Sequence, residues 1–180
     1  MFIQTQETPN PQTIKFIPGR IVMPLGTRVF SLGDDCKASK LAELLLSIEG
    51  IESVLFAENF LTATKSNDAD WDILKPLLLA TMIDYFITGA PVISLEKEAS
   101  YSEIENEVIK QLREIIDTKV KPAVAQDGGS IVFRNFVDGV VYVELQGACS
   151  GCPSAHITLK NGIENMLKYY VPEVISVEAV

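Results

Sequence analysis

The chain has 180 residues, 47% of them hydrophobic, and carries Lys+Arg 15 against Asp+Glu 24 for a formal net charge of −9. That length suits one moderate domain or two small ones, and the acidity argues against nucleic acid as a partner, because a phosphate backbone calls for a basic face. The opening "MFIQTQETPNPQ" has neither the basic nor the apolar region of a secretory signal. The most apolar stretch, "ILKPLLLATMIDYFITGAPVI", is broken by Lys75, Pro76 and Asp84, short of the roughly 20 apolar residues a span needs, so no membrane partner is expected.

The first half opens with short β-like runs, "FIQTQ", "QTIKFIP" and "TRVFSL", punctuated by Pro9, Pro11, Pro18, Gly19, Pro24 and Gly26. A helix is predicted over about 39–49, with Leu41, Leu44, Leu45 and Ile48 on one stripe and Gly50 closing it. "IESVLFA" and "FLTATK" flank Glu58-Asn59 as a hairpin. Asp70 is the N-cap of a second helix in which Trp71, Leu74, Leu78, Met82 and Tyr85 recur at helical spacing. Pro76 lies inside that pattern and is expected to kink the helix or split off its first turn. Gly89 and Pro91 end it, and "APVISLEKEAS" reads as a linker or edge segment. The expected division is 1–90, a linker at 91–100, and 101–180.

In the second half Ser102 and Glu105 form a capping box. Ile104, Val108, Leu112, Ile115 and Val120 then line a helix that Pro122 ends or bends. "QDGGS" is read as a tight turn before a strand, its glycines also able to let the backbone approach a ligand. "IVFRNF" and "VVYVELQ" flank Val137-Asp138-Gly139 as a hairpin. The loop "GACSGCP" follows, Pro153 suits the first position of a helix running to about Tyr170, and Leu159, Ile163, Met166 and Tyr170 form its predicted buried stripe. "VISVEAV" is a last strand. The fold class is therefore α+β: two small α/β domains, the first with antiparallel strands and two main helices, the second α-β-β-α-β with a CxxC loop before its second helix.

Cys149 and Cys152 carry the chemistry. With Pro153 opening a helix, Cys152 is its N-cap, and its sulfur faces free N–H groups at the positive end of the helix dipole, which favours the thiolate. Cys149 can face the same space, and Gly147 and Gly151 let the backbone fold tightly. The pair is expected to be exposed, pre-aligned and partly ionised. Three readings stay open on the residues alone: a thiol–disulfide redox module, half of a soft-ligand metal site, and a chance turn with inert thiols. The strand–CxxC–helix order is shared with thioredoxin, but too little chain follows the helix to complete that fold. Thiolates select iron–sulfur clusters, zinc or Cu(I). Four ligands are usual, so a two-fold dimer that brought two such loops together would supply them. His156, the chain's only histidine, lies four residues after Cys152 and could join a site, although polar surface is the simpler reading. Cys36, in the other half beside Asp34 and Asp35, is read as incidental. No catalytic triad or phosphate loop is visible, so no enzyme activity is expected.

The stretches "KVKPAVAQDGGSIVF" and "GACSGCPSAHITLKNGIENMLKYYVPEVISVEAV" resemble the C-terminal domain of NifU as found in Nfu-type iron–sulfur proteins. "FIQTQETPNPQTIKFIPG", "FLTATK" and "WDILKP" resemble the Nfu N-terminal domain. The resemblance implies an iron–sulfur cluster carrier or late scaffold, holding a cluster, [4Fe-4S] in preference to [2Fe-2S], on Cys149 and Cys152. It implies a homodimer on cluster binding, apo iron–sulfur client proteins and an upstream assembly scaffold as partners. Location would be cytoplasmic in a bacterium and the mitochondrial matrix in a eukaryote. The chain departs from the family pattern at Ser130, Ala155, His156, Lys119 and Lys121, none of which touches the thiols.

Overall fold

The computed structural model describes residues 2–24, 26–93, 107–150 and 153–180, leaving out the side chains of 153–156, 158 and 159. The chain divides into two compact units, Met1–Glu98 and Ala99–Val180. Both mix strands with helices, in agreement with the α+β class read from the sequence.

The first unit contains β1 (Gln4–Glu7), β2 (Thr13–Ile17), β3 (Arg28–Ser31), α1 (Lys40–Leu46), β4 (Ile51–Phe56), β5 (Leu61–Lys65) and α2 (Trp71–Ile87). Its sheet runs β1-β2-β5-β4-β3, and every neighbouring pair is antiparallel. The predicted strands and the β4–β5 hairpin are all present. Helix α1 is shorter than the 39–49 expected, because Ser39 is its N-cap: the Ala42 N–H donates to Ser39 Oγ at 3.2 Å. The same hydroxyl donates to the Val92 carbonyl at 2.6 Å. Val92 is buried and Pro91 accepts from the Tyr85 hydroxyl at 2.8 Å, so these two residues, assigned from sequence to a linker, are fastened to the first unit.

In α2 Asp70 caps as expected, accepting from the Asp72 N–H at 2.9 Å. Pro76 does not split the helix. The hydrogen bond it forfeits belongs to the carbonyl of Asp72, an exposed first-turn residue that water can satisfy. Leu74, Leu78 and Met82 lie in one core with Phe16, Leu41 and Leu61.

The described part of the second unit holds α3 (Glu107–Ile115), a π-helical turn (Ile116–Val120), α4 (Lys121–Gln126), β6 (Gly129–Val137), β7 (Val140–Gly147), α5 (Pro153–Tyr170) and β8 (Ser176–Ala179). The Ser102–Glu105 capping box and Ile104 lie outside the described residues. The sheet order is β6-β7-β8, with β6–β7 antiparallel and β7–β8 parallel. A parallel pair needs a long crossover, and α5 supplies it.

Two expectations are corrected here. Of the two outcomes expected at Pro122, an end or a bend, the helix does not end: the chain passes through Pro122 into α4. The π turn makes this possible by widening the backbone, so that the Lys121 N–H bonds the Ile116 carbonyl five residues back. The buried stripe becomes Leu112, Ile116, Val120 and Val124, with Ile115 only partly buried. On α5 the helical period carries the core from Ile163 to Leu167, while Tyr170 is 44% exposed. Tyr170 packs edge-on to Tyr169 at 5.0 Å and lies under the Lys119 ammonium at 5.1 Å.

The β6–β7 turn has positive φ at both Asp138 (51°) and Gly139 (83°), the requirement of a type I′ hairpin. A Cβ at Gly139 would fall 2.7 Å from Ile175 Cδ1 and 3.1 Å from the Glu173 carbonyl. Gly139→Ala is therefore expected to lower stability by about 1–3 kcal/mol in denaturant titration, through backbone strain and overpacking together. A neutral result would mean that this turn relaxes at no cost.

Helix α5 is tied to β8 by Glu164, which accepts from the Lys168 ammonium at 2.6 Å and from the Val177 N–H at 3.1 Å. These two donors, Lys168 first, hold its carboxyl below the ordinary range. The native pKa is the lower one, so the stabilisation is complete above the unfolded value of about 4.3 and fades as pH falls through the native value. The difference in melting temperature between the native chain and Glu164→Gln should shrink as pH drops from about 6 to about 3. A pH-independent difference would contradict this role.

Candidate metal centre

The second unit places its cysteine turn at the carboxyl end of β7, between a central strand and the start of α5. Gly129 pairs with Gly147 across the β6–β7 ladder. The Ala148 N–H donates to the Gly128 carbonyl at 3.3 Å, and the Ser150 N–H to the Gly147 carbonyl at 3.0 Å. The turn is thus sewn to the loop that precedes β6.

Cys149 sits in this turn and is 3% exposed, within the core of Ile131, Leu145 and Leu167. This corrects the expectation of an exposed pair for Cys149. The reason lies in the double glycine. Gly128 has φ +75°, a left-handed turn residue. Gly129 does something else: a Cβ built on it would lie 2.3 Å from Cys149 Sγ, 3.0 Å from Cys149 Cβ and 3.1 Å from the Gln146 carbonyl. The backbone does approach something closely, and that something is the chain's own sulfur. From sequence the double glycine is consistent with both a tight turn and a close backbone approach; Gly128 serves the first and Gly129 the second. A glycine already inside a strand is the available signal for such an approach.

Cys152 lies outside the described residues, as does Gly151, and His156 is described only as a backbone position in α5. Pro153 is the first residue of α5, as predicted.

Beside the turn, Glu144 accepts from Gln146 Nε2 at 2.9 Å and from Arg134 Nε at 2.8 Å. The Gln146 bond, then Arg134, outweigh partial burial and hold the Glu144 carboxyl below the ordinary range. Glu144 and Gln146 alternate with the core residues Val143 and Leu145 along β7, so this cluster lies on the opposite sheet face from the Cys149 sulfur.

Cys36 belongs to the first unit, where an open pocket of about 440 Å³ is lined by Asp34, Asp35, Cys36, Lys37, Glu43 and Ser47 among others. Its sulfur donates to the Asp34 carbonyl at 3.6 Å. Lys37 pairs with Asp35 at 2.7 Å and Lys40 with Glu43 at 2.8 Å, which occupies much of the acidic charge. Among the described residues, no group of three or more His, Cys, Asp or Glu side chains is placed to hold a metal ion.

Fold and site together define an α+β protein of two units, the second presenting a glycine-lined cysteine turn before a helix. A family model for the NifU-like domain matches residues 112–178, and one for the scaffold protein Nfu/NifU N terminal matches residues 3–89. Relatives include the human NFU1 iron-sulfur cluster scaffold homolog, mitochondrial, 46% identical over 183 residues, with 100% of this chain and 72% of that protein covered. The protein of the same name from Drosophila ananassae is 43% identical over 184 residues, and the chain spans 64% of its length. A solution NMR structure of a NifU-like protein from Saccharomyces cerevisiae aligns with 53% of this chain and 87% of its own at 28% identity, with a TM-score of 0.49. The chain belongs to the Nfu family, with an Nfu/NifU N-terminal domain followed by a NifU-like domain.

The Cys36 thiol is pushed up first by burial, then by the negative charges of Asp34, Glu43 and Asp35. It should stay protonated at neutral pH and react slowly, because the thiolate is the nucleophile. Site-resolved mass spectrometry of iodoacetamide labelling is expected to show Cys36 gaining reactivity only above the ordinary cysteine range. A midpoint below that range would overturn this reading.

Proposed function

We propose that the chain is an iron–sulfur cluster carrier or late scaffold whose cargo is bound by Cys149 and Cys152 and passed to apo-proteins. The observation that supports this most is the pairing of a Nfu/NifU domain order along the chain with Cys149 in a glycine-built turn leading into α5. Relatives that share the whole of this chain are named as iron–sulfur cluster scaffolds. Soft thiolates are the ligands an iron–sulfur cluster takes, and the protein's part is to offer them without enzymatic turnover.

A four-thiolate site needs four sulfurs, and residues 147–153 provide Cys149 and Cys152 alone. Cys36 lies in the other unit. Two copies, each giving both cysteines, complete the set, and the cluster is then held at a boundary that can reopen for delivery. The preferred cargo is [4Fe-4S]. In this division of labour, residues 101–180 carry the cluster. Residues 1–90 serve recognition of the upstream scaffold or of apo iron–sulfur clients, and the part of 91–100 that follows the fastened Pro91 and Val92 acts as a linker. The described residues contain no helix long and apolar enough to cross a membrane. The expected location is the cytoplasm in a bacterium and the mitochondrial matrix in a eukaryote.

Anaerobic reconstitution with ferrous iron and sulfide tests the reading. A brown chromophore, bleached by dithionite, should form with the native chain and with Cys36→Ser, and fail with Cys149→Ser or Cys152→Ser. Loading should convert monomer to dimer in analytical ultracentrifugation, and Mössbauer spectra identify the cluster. Retention of the cluster by Cys149→Ser, or a saturated cluster on a monomer, defeats the shared-thiolate model. A colourless chain that reduces insulin disulfides would favour a thiol-redox module instead.

A further inference from the structure

Among the described residues, the Cys149 sulfur lies in a seat fitted to it by Gly129. Where the backbone is not left-handed, glycine costs stability relative to alanine by its greater freedom in the unfolded chain. Gly129 lies in β6, and its φ falls outside the left-handed region where glycine is demanded. Its need comes from space alone: the would-be methyl position is filled by Cys149 Sγ, 2.3 Å away. Beneath that contact lies the core of the second unit, which leaves the thiol 3% exposed.

A cluster shared between two copies has to be reached from outside. A sulfur held against Gly129 cannot bridge to a second chain until it leaves that seat. The means of leaving are local. Cys149 is carried by a turn that begins at Gly147, with φ +67°, and the adjoining Ser150 is exposed. The turn is closed on itself by the Ser150 N–H on the Gly147 carbonyl at 3.0 Å, and one of its ties to the loop before β6, the Ala148 N–H on the Gly128 carbonyl at 3.3 Å, is a long and weak bond.

Building on the cluster-carrier reading, we infer that Gly129 is a positioning residue for Cys149, its absent side chain forming a niche that stores the thiol inside the unit until a cluster is taken up. Uptake turns the sulfur out of the niche. Its S–H proton passes to water as the sulfur–iron bond forms, and no electron changes hands. Stored, the thiol is shielded from alkylation and oxidation, which act on exposed thiolates. Turned out, it is available to the cargo. Gly129 thereby sets how readily one ligand of the site is offered.

Gly129→Ala probes this with the smallest available group: the backbone there accepts alanine, the worst clash is with Cys149 Sγ, which can rotate away, and Cys149 Cβ and the Gln146 carbonyl, at 3.0 and 3.1 Å, have to give by only a few tenths of an ångström. Iodoacetamide labelling of the metal-free full-length chain, read at Cys149 by mass spectrometry, should be at least about tenfold slower in the folded protein than in urea, reflecting a local opening. In Gly129→Ala it should rise by about tenfold or more, with the far-ultraviolet circular dichroism unchanged. Thermal melts complete a double-mutant cycle: the loss of melting temperature caused by Gly129→Ala should fall by more than half in a Cys149→Ala background, because the truncated side chain vacates the niche. Equal labelling of Cys149 in folded and unfolded chain, an unchanged rate in Gly129→Ala, or strictly additive melts would each overturn the inference. None of these readouts depends on a cluster. Retention of cluster by Cys149→Ser therefore defeats the carrier model by itself, while slow labelling with strong coupling to Gly129 would still establish the niche.

Discussion

The close contact between the Gly129 backbone and the Cys149 sulfur constrains the second unit more than any other single feature. For the sulfur to rest there, β6 must start with a residue lacking a side chain, and β7 must end in register with it, Gly129 opposite Gly147. The chain before β6 must turn through a left-handed residue, Gly128, and the π turn with α4 must deliver that turn to the right place. Packing at interior density leaves no slack for an added methyl at such a position. The cysteine turn is therefore not an appendage on the fold. It is the place where the sheet ladder, the glycine turn and the apolar core meet.

Much of the fold was legible because its signals are local. Both hairpins announced themselves by two short apolar runs around a turn, and Asp138-Gly139 has the positive φ angles such a pair requires. Asp70 and Pro153 marked helix starts by hydrogen-bonding and backbone preference. What stayed hidden depended on tertiary spacing. Pro122 signals an end or a bend because an ideal α-helix loses a bond and gains a clash at proline. A π turn removes that conflict, and periodicity has no term for it, so the inward residue after Leu112 was taken as Ile115 when it is Ile116. Tyr170 was assigned to the core from its spacing, whereas Leu167 and Val171 on neighbouring positions take the room.

For the candidate site, the sequence pointed to Cys149 through its spacing from a second cysteine and the glycines around it. Its depth could not be read that way. A helix N-terminus predicts an ionised, outward sulfur, and that expectation concerns the residue at the cap, which lies outside the described residues. Cys149 is three residues earlier, where the packing against a strand decides. The double glycine contained the missing information in compressed form: one member serves the backbone angle and the other serves space, and only coordinates separate the two functions. The pocket beside Cys36 shows the converse. Acidic residues and a thiol lie close together there, yet the carboxylates are engaged by lysines and raise the thiol's affinity for its proton. Proximity without geometry does not make a ligand set.

The parallel pairing of β7 with β8 has a consequence for the order of assembly. The hairpin β6–β7 can form from neighbouring residues, but β8 can join only after all of α5 has been laid down and folded back. Non-local parallel pairing is slow to reach because loop closure has to be completed first. The β6–β7 hairpin and the cysteine turn at its end can therefore form before the parallel pairing of β7 with β8 is reached. The strand that closes the sheet is thus the most distant in sequence from the hairpin it joins, and the second unit is complete only when that last pairing is made.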